Sequence, residues 1–172
     1  MNSYSYLAAV NQKLLFAKRL IKLTETGTEV RDKHFSKALA QSVVLQLYHA
    51  WAWHLQDVAS NYKVQDPSAV NSIEQLVQLL KADGKAPAEA TELHNLALSK
   101  DSWLYHLLAA YQQLFLLPEI RKAEMDIDRL PLLSLDDISD SGIVDWGILE
   151  AVDWTQKMIE LVDRQREMMI EF

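Results

Sequence analysis

Leu39-Ala40-Gln41-Ser42-Val43-Val44-Leu45-Gln46-Leu47-Tyr48-His49-Ala50-Trp51-Ala52-Trp53-His54-Leu55-Gln56-Asp57-Val58-Ala59 decides the fold. Its apolar residues recur at helical spacing in two adjacent stripes. One holds Leu39, Val43, Leu47, Ala50 and Val58; the other holds Ala40, Val44, Tyr48, Trp51, Leu55 and Ala59. A helix apolar over so wide an arc must touch more than one neighbour. The helix is predicted over residues 32–62, the longest in the chain, and is read as the centre of a bundle. Leu47, midway along it between Val43 and Ala50, is expected to be fully buried.

Outward from this segment, helices are separated by the few glycines and prolines. Gly27, Pro67, Gly84, Pro87, Pro118, Pro131, Gly142 and Gly147 make up the whole set in 172 residues, and both residue types break regular structure. The first helix is predicted over residues 3–23, with Leu7, Val10, Leu14, Ala17 and Ile21 on its buried seam and Gly27 as its stop. Asp66-Pro67 starts a short helix that Gly84 closes, and Pro87 opens a second one. Asp101 or Ser99 caps a long helix through Leu104, Leu107 and Ala110 that ends at Pro118. Asp145 caps the last helix, where Ile148, Val152, Ile159, Val162 and Met169 share a face and Glu160–Arg164 pair at i, i+4. The expectation is all-α: an up-and-down bundle of four long helices, with two short ones inserted between the second and third, forming a single domain over residues 1–172.

Composition narrows the function. Apolar residues are 49% and charged residues 24% of the chain, an ordinary globular balance, and a chain of this length buries roughly 70% of its unfolded surface. There is no cysteine, which removes disulfides, thiolate metal sites and thiol nucleophiles and suits a reducing compartment. No apolar run approaches the ~18 residues of a membrane span, and no signal peptide is read at the N-terminus. A cytoplasmic protein is expected. The net charge of −7 argues against nucleic acid as a partner. That charge is uneven. Residues 1–24 carry Lys13, Lys18, Arg19 and Lys22 and no acid, whereas residues 119–153 carry ten acids against Arg121, Lys122 and Arg129. Such asymmetry can steer a protein partner or a second copy of the chain.

Histidine is where chemistry would reside. A metal site in a bundle draws ligands from facing helices, commonly through Glu-x-x-His or three histidines. No Glu-x-x-His occurs. The candidate ligands are His49, His54 and His106. His49 and His54 lie about 140° apart around their helix and cannot share a face, whereas His49 and His106 can meet where their helices pack. Satisfied, partly buried histidines are the plainer reading. Leu-Tyr-His occurs at 47–49 and again at 104–106, near Trp51, Trp53 and Trp103; it is read as coincidence rather than duplication, and the aromatics as core. Residues 137–148 have the glycine of a calcium loop, but Ile148 occupies the position of its bidentate glutamate. No phosphate loop, dinucleotide fingerprint or nucleophile elbow is present. No catalytic residue and no cofactor are assigned.

Asn11-Gln12-Lys13-Leu14-Leu15-Phe16-Ala17-Lys18, Leu45-Gln46-Leu47-Tyr48-His49-Ala50, Ser102-Trp103-Leu104 with Leu107-Leu108-Ala109-Ala110-Tyr111, and Leu161-Val162-Asp163-Arg164-Gln165-Arg166 together resemble an uncharacterised family of small helical gammaproteobacterial proteins. The resemblance implies a fold and a bacterial cytoplasmic origin, and no activity. The Trp-His-Leu and Tyr-His elements also resemble metal-dependent helical-bundle enzymes of the DinB type, without their ordered histidine triad. The sequence thus points to a non-enzymatic interaction or adaptor protein that binds another protein or a second copy of itself. A metal-dependent enzyme using His49, His54 and His106 is the competing reading.

Overall fold

The computed structural model describes residues 5–26, 32–116 and 145–170. Among these, the regular structure is six α-helices and one 3-10 turn: α1 (Tyr6–Thr26), α2 (Lys33–Asn61), the turn Pro67–Ala69, α3 (Ile73–Ala82), α4 (Ala88–Leu98), α5 (Trp103–Gln113) and α6 (Ile148–Ile170). The expected all-α class is observed. The expected stops and loop motif at Gly27, Pro118, Pro131 and residues 137–144 lie outside the described residues.

Local chemistry sets the helix ends. Ser5 Oγ accepts from the Ala8 amide at 3.2 Å to open α1, and Asp32 Oδ1 accepts from the His34 amide at 2.9 Å to open α2. Each satisfies an amide that has no partner inside the helix. α2 and α3 close alike. The Val64 amide reaches Ala59 O and the Lys85 amide reaches Leu80 O, with Lys63 (φ 58°) and Gly84 (φ 69°) in the left-handed conformation between. Both are Schellman closures, in which glycine is favoured; Lys63 adopts the conformation without glycine's freedom, at a cost of about 1 kcal/mol.

Several expected boundaries are corrected. Asp66 caps only the 3-10 turn through the Ser68 amide, and α3 starts afresh at Ser72, whose Oγ accepts from the Gln75 amide. Neither Asp101 nor Ser99 caps α5; Ser102 does, accepting from the Leu104 and Tyr105 amides. α5 is shorter than expected, at 11 residues, because the backbone tightens into i→i−3 bonds at Leu114, Phe115 and Leu116. Asp145 does not cap α6; Glu150 Oε2 instead reaches back to the Gly147 amide at 2.8 Å, half of a capping box.

α2 packs against α1, α3, α5 and α6, and both of its apolar stripes are buried except at half-exposed Tyr48. α1 runs antiparallel to it, since Lys13 meets Trp53 while Leu20 and Leu23 lie beside Gln46. α6 is rotated from the expected face. Its buried line is Ala151, Trp154, Thr155, Met158, Leu161, Val162 and Gln165, and Val152 points toward solvent. Two polar residues interrupt that line, so apolar spacing alone places the seam too far around the helix. Apart from Leu39 and the polar residues, the buried side chains of all these helices form one continuous apolar cluster.

Leu47 is fully buried, and Lys18 is exposed. Leu47→Ala is expected to cost roughly 2–5 kcal/mol, the range for a buried large-to-small change. Lys18→Ala is expected to stay within about 0.5 kcal/mol. Chemical denaturation of the two variants checks this ordering.

Candidate functional site

The arc that buries Leu47 and Val58 also carries His54 inside, with no exposed surface. An imidazole there needs a polar partner, and α6 supplies one. Gln165, also fully buried, places Oε1 2.8 Å from His54 Nε2. The Gln165 amide nitrogen donates to Glu89 O at 3.3 Å and to Glu92 Oε2 at 2.9 Å. Those two donations fix the amide's orientation, so Oε1 accepts and His54 carries its proton on Nε2. Glu92 Oε1 also accepts from Arg164. The expected Glu160–Arg164 pair is therefore replaced: Arg164 reaches across to α4, and Glu160 accepts from Gln156 at 2.7 Å.

One turn further along α2, Asp57 Oδ2 accepts from Arg166 Nη1 at 2.9 Å. At the end of α2, the Tyr62 hydroxyl donates to Glu89 Oε2 at 2.8 Å, and Lys85 Nζ donates to Tyr62 O at 2.7 Å. The Schellman closure of α3 delivers Lys85 to that carbonyl, and the short link to Pro87 then brings Glu89, in the first turn of α4, against Tyr62. The cluster therefore ties α2, α4 and α6 together through side chains from three separated stretches of sequence.

Burial dominates its electrostatics. It pushes the His54 imidazole below its ordinary pKa, against the opposing pull of the Gln165 hydrogen bond and Asp57. It pushes the Asp57 carboxyl up, with Arg166 opposing. It also takes the Tyr62 phenol up to about 12, helped by Glu89. His54 Nδ1 is buried without a hydrogen-bond partner among the described residues. That lone pair is basic in principle, yet it has no surface through which a substrate could approach. The arrangement holds helices rather than moving protons to a ligand.

The other sequence candidates lie apart. His49 is exposed, its ring 6.4 Å from that of Trp53, and burial and Lys13 lower its pKa. His106 is half-buried with its ring edge-on to Tyr105. No group of three or more histidine, aspartate or glutamate side chains able to hold a metal occurs among the described residues. The two Leu-Tyr-His copies put their leucines in the core and their histidines in different surroundings. Tyr48 stacks on Tyr111 of α5 instead, with centroids 3.5 Å apart.

A second feature lies on the outside. Phe16, Arg19, Leu20, Lys22 and Leu23 of α1 and Gln46 of α2 line an open groove of about 520 Å³. Lys13 sits at its head, its ammonium 5.6 Å from the Phe16 ring and 5.5 Å from the Trp53 ring. A further groove of about 560 Å³ runs along α4 past Thr91, Asn95 and Leu96 toward Ser102. No helix among the described residues is long and apolar enough to cross a membrane.

A family described as "Family of unknown function (DUF6586)" matches residues 1–172. The chain belongs to that family. No curated protein and no solved structure matches it.

In this DUF6586 member the residues that sequence reasoning missed are Gln165, Glu89, Arg166 and Asp57. One signal was available: Gln165 falls on the i, i+3, i+4 line that Met158, Leu161 and Val162 define, and a polar residue on such a line calls for a buried partner.

The sign of the pH dependence follows from His54. Its folded pKa lies below the ordinary 6.5, so the unfolded chain binds the proton more readily and stability is lost as pH falls below that value. Asp57, with its carboxyl pushed up, acts in the opposite sense and only in the more acidic carboxylate range. Between pH 7 and 5.5, unfolding free energy is expected to fall with a slope of up to about 1.4 kcal/mol per pH unit from this one site. His54→Gln is expected to flatten that slope. Urea titrations of both proteins at several pH values give the comparison, in which His49 contributes equally to each.

Proposed function

We propose that the chain is a non-catalytic interaction module that binds a partner protein through the outer groove of α1 and α2. The observation that carries this reading is exposure: Phe16 is 42% and Leu23 49% exposed along that groove, within residues 1–24, which carry four cations and no acid. Large apolar residues gathered in a groove with a polar rim are the surface from which association gains most. Catalysis would need a reacting group within reach of substrate, and His54 and Asp57, both shifted from their ordinary pKa values, are buried. The competing metal-dependent reading draws no support from the positions of His49, His54 and His106. The absence of cysteine suits the cytoplasm as the place of work.

Site-specific photo-crosslinking in cells tests this. A photoreactive amino acid at Leu23 is expected to give a discrete adduct with a protein that the same probe at Leu98, 56% exposed on α4, does not give. No adduct at Leu23, or the same adducts from both positions, contradicts the reading.

A further inference from the structure

From the geometry and charge of the α1–α2 groove, we infer that its occupant is a single amphipathic α-helix of another protein, apolar on one face and acidic along its flank. The inference rests on the interaction reading above and specifies its partner.

The groove's shape argues for a helix. Its apolar lining, Phe16, Leu20 and Leu23, steps along α1 by four and then three residues. That is the ridge spacing of one helix face, and it extends about 10 Å, or two turns. A second helix presenting apolar side chains at i, i+3, i+4 and i+7 interdigitates with such a ridge. The opposite wall is α2, running antiparallel, so the occupant would complete a three-helix layer. A bilayer surface is flat on this scale and cannot fill a concave seam between two helices.

Charge argues for acid on the occupant. Lys13, Lys18, Arg19 and Lys22 are the only ionisable residues from 7 to 24. Arg19 and Lys22 line the groove itself, and Lys13 is held at its head by the Phe16 and Trp53 rings. The α2 residue that lines the groove is the uncharged Gln46; His49, close enough to Lys13 for that charge and burial to lower its pKa, favours its neutral form. Among the described lining residues the groove is therefore cationic along α1 and uncharged along α2. A second copy of the chain would bring the same cations face to face, and like charges across an interface suppress association. An acidic flank complements Lys13 and the exposed Lys18 and Arg19.

Fluorescence anisotropy with synthetic helix-forming peptides tests the inference. One peptide carries leucines at i, i+3, i+4 and i+7 with glutamates beside them, and the control carries lysines in place of the glutamates. The intact protein is expected to bind the acidic peptide at least about tenfold more tightly than the basic one, with affinity falling as salt is raised. Exposed Lys18 and Arg19 allow a charge swap without disturbing the core: Lys18→Glu with Arg19→Glu is expected to reverse the preference. Leu23→Ser is expected to weaken both peptides, and circular dichroism confirms that each variant is folded. Equal binding of the two peptides, an unaltered preference in the charge-swapped variant, binding only to phosphatidylserine vesicles, or self-association that Arg19→Glu strengthens would each overturn the inference. If the Leu23 crosslink forms while the acidic peptide is not preferred, the interaction reading stands and this account of its partner fails.

Discussion

α2 has apolar residues over roughly 200° of its circumference at 100° per residue, and no single neighbour can cover such an arc. α1, α3, α5 and α6 are each positioned by that requirement. The core is correspondingly continuous, and Leu47 and Val58 at the middle of the arc have no exposed surface. Fully burying one such aliphatic side chain contributes about 1.5–3 kcal/mol, and only the whole continuous core offsets the conformational cost of ordering the helices.

The same arc creates the polar cluster. His54 lies near its middle and Asp57 at its edge, so folding α2 into the core removes both from water. Unpaired, each would carry a desolvation cost. Adjacent on α6, Gln165 pairs with His54 Nε2 and Arg166 with the Asp57 carboxylate, and Gln165 extends the connection to α4 through Glu89 and Glu92. Such networks add little net energy compared with an apolar replacement, but removing one member strands the others. A slip of α6 by one residue would replace Gln165 with Arg164 or Arg166 opposite His54, placing a cation where a neutral acceptor is needed. The cluster thereby selects one register of α6 from the several that a purely apolar seam would allow.

The sequence made α2 legible almost to the residue: the expected span of 32–62 is the helix together with its two caps, because apolar periodicity and the Asp32 cap agree. The seam of α1 was legible for the same reason. The face of α6 was not, because Thr155 and Gln165 interrupt the apolar pattern and their partners lie on other helices. The cap of α5 was misplaced because Ser99, Asp101 and Ser102 can all accept from a helix amide, and only the path of the chain from α4 chooses Ser102. The polar cluster could not be read as a unit, since its members come from stretches up to 111 residues apart. The groove was foreshadowed only by the acid-free run that contains Lys13, Lys18, Arg19 and Lys22; the exposure of Phe16 and Leu23 depends on how α1 rolls onto α2.

In the proposed function the inside of the bundle holds helices together and the α1–α2 face serves recognition. That division depends on His54 being sealed from solution. Diethyl pyrocarbonate modification followed by peptide mass spectrometry tests it most directly. In the native protein at neutral pH, the exposed His34 and His49 are predicted to be modified while His54 is protected until denaturant is added. Modification of His54 in the native state at a rate comparable to His34 would contradict the account, because an imidazole that a reagent can reach is one that a substrate can reach too.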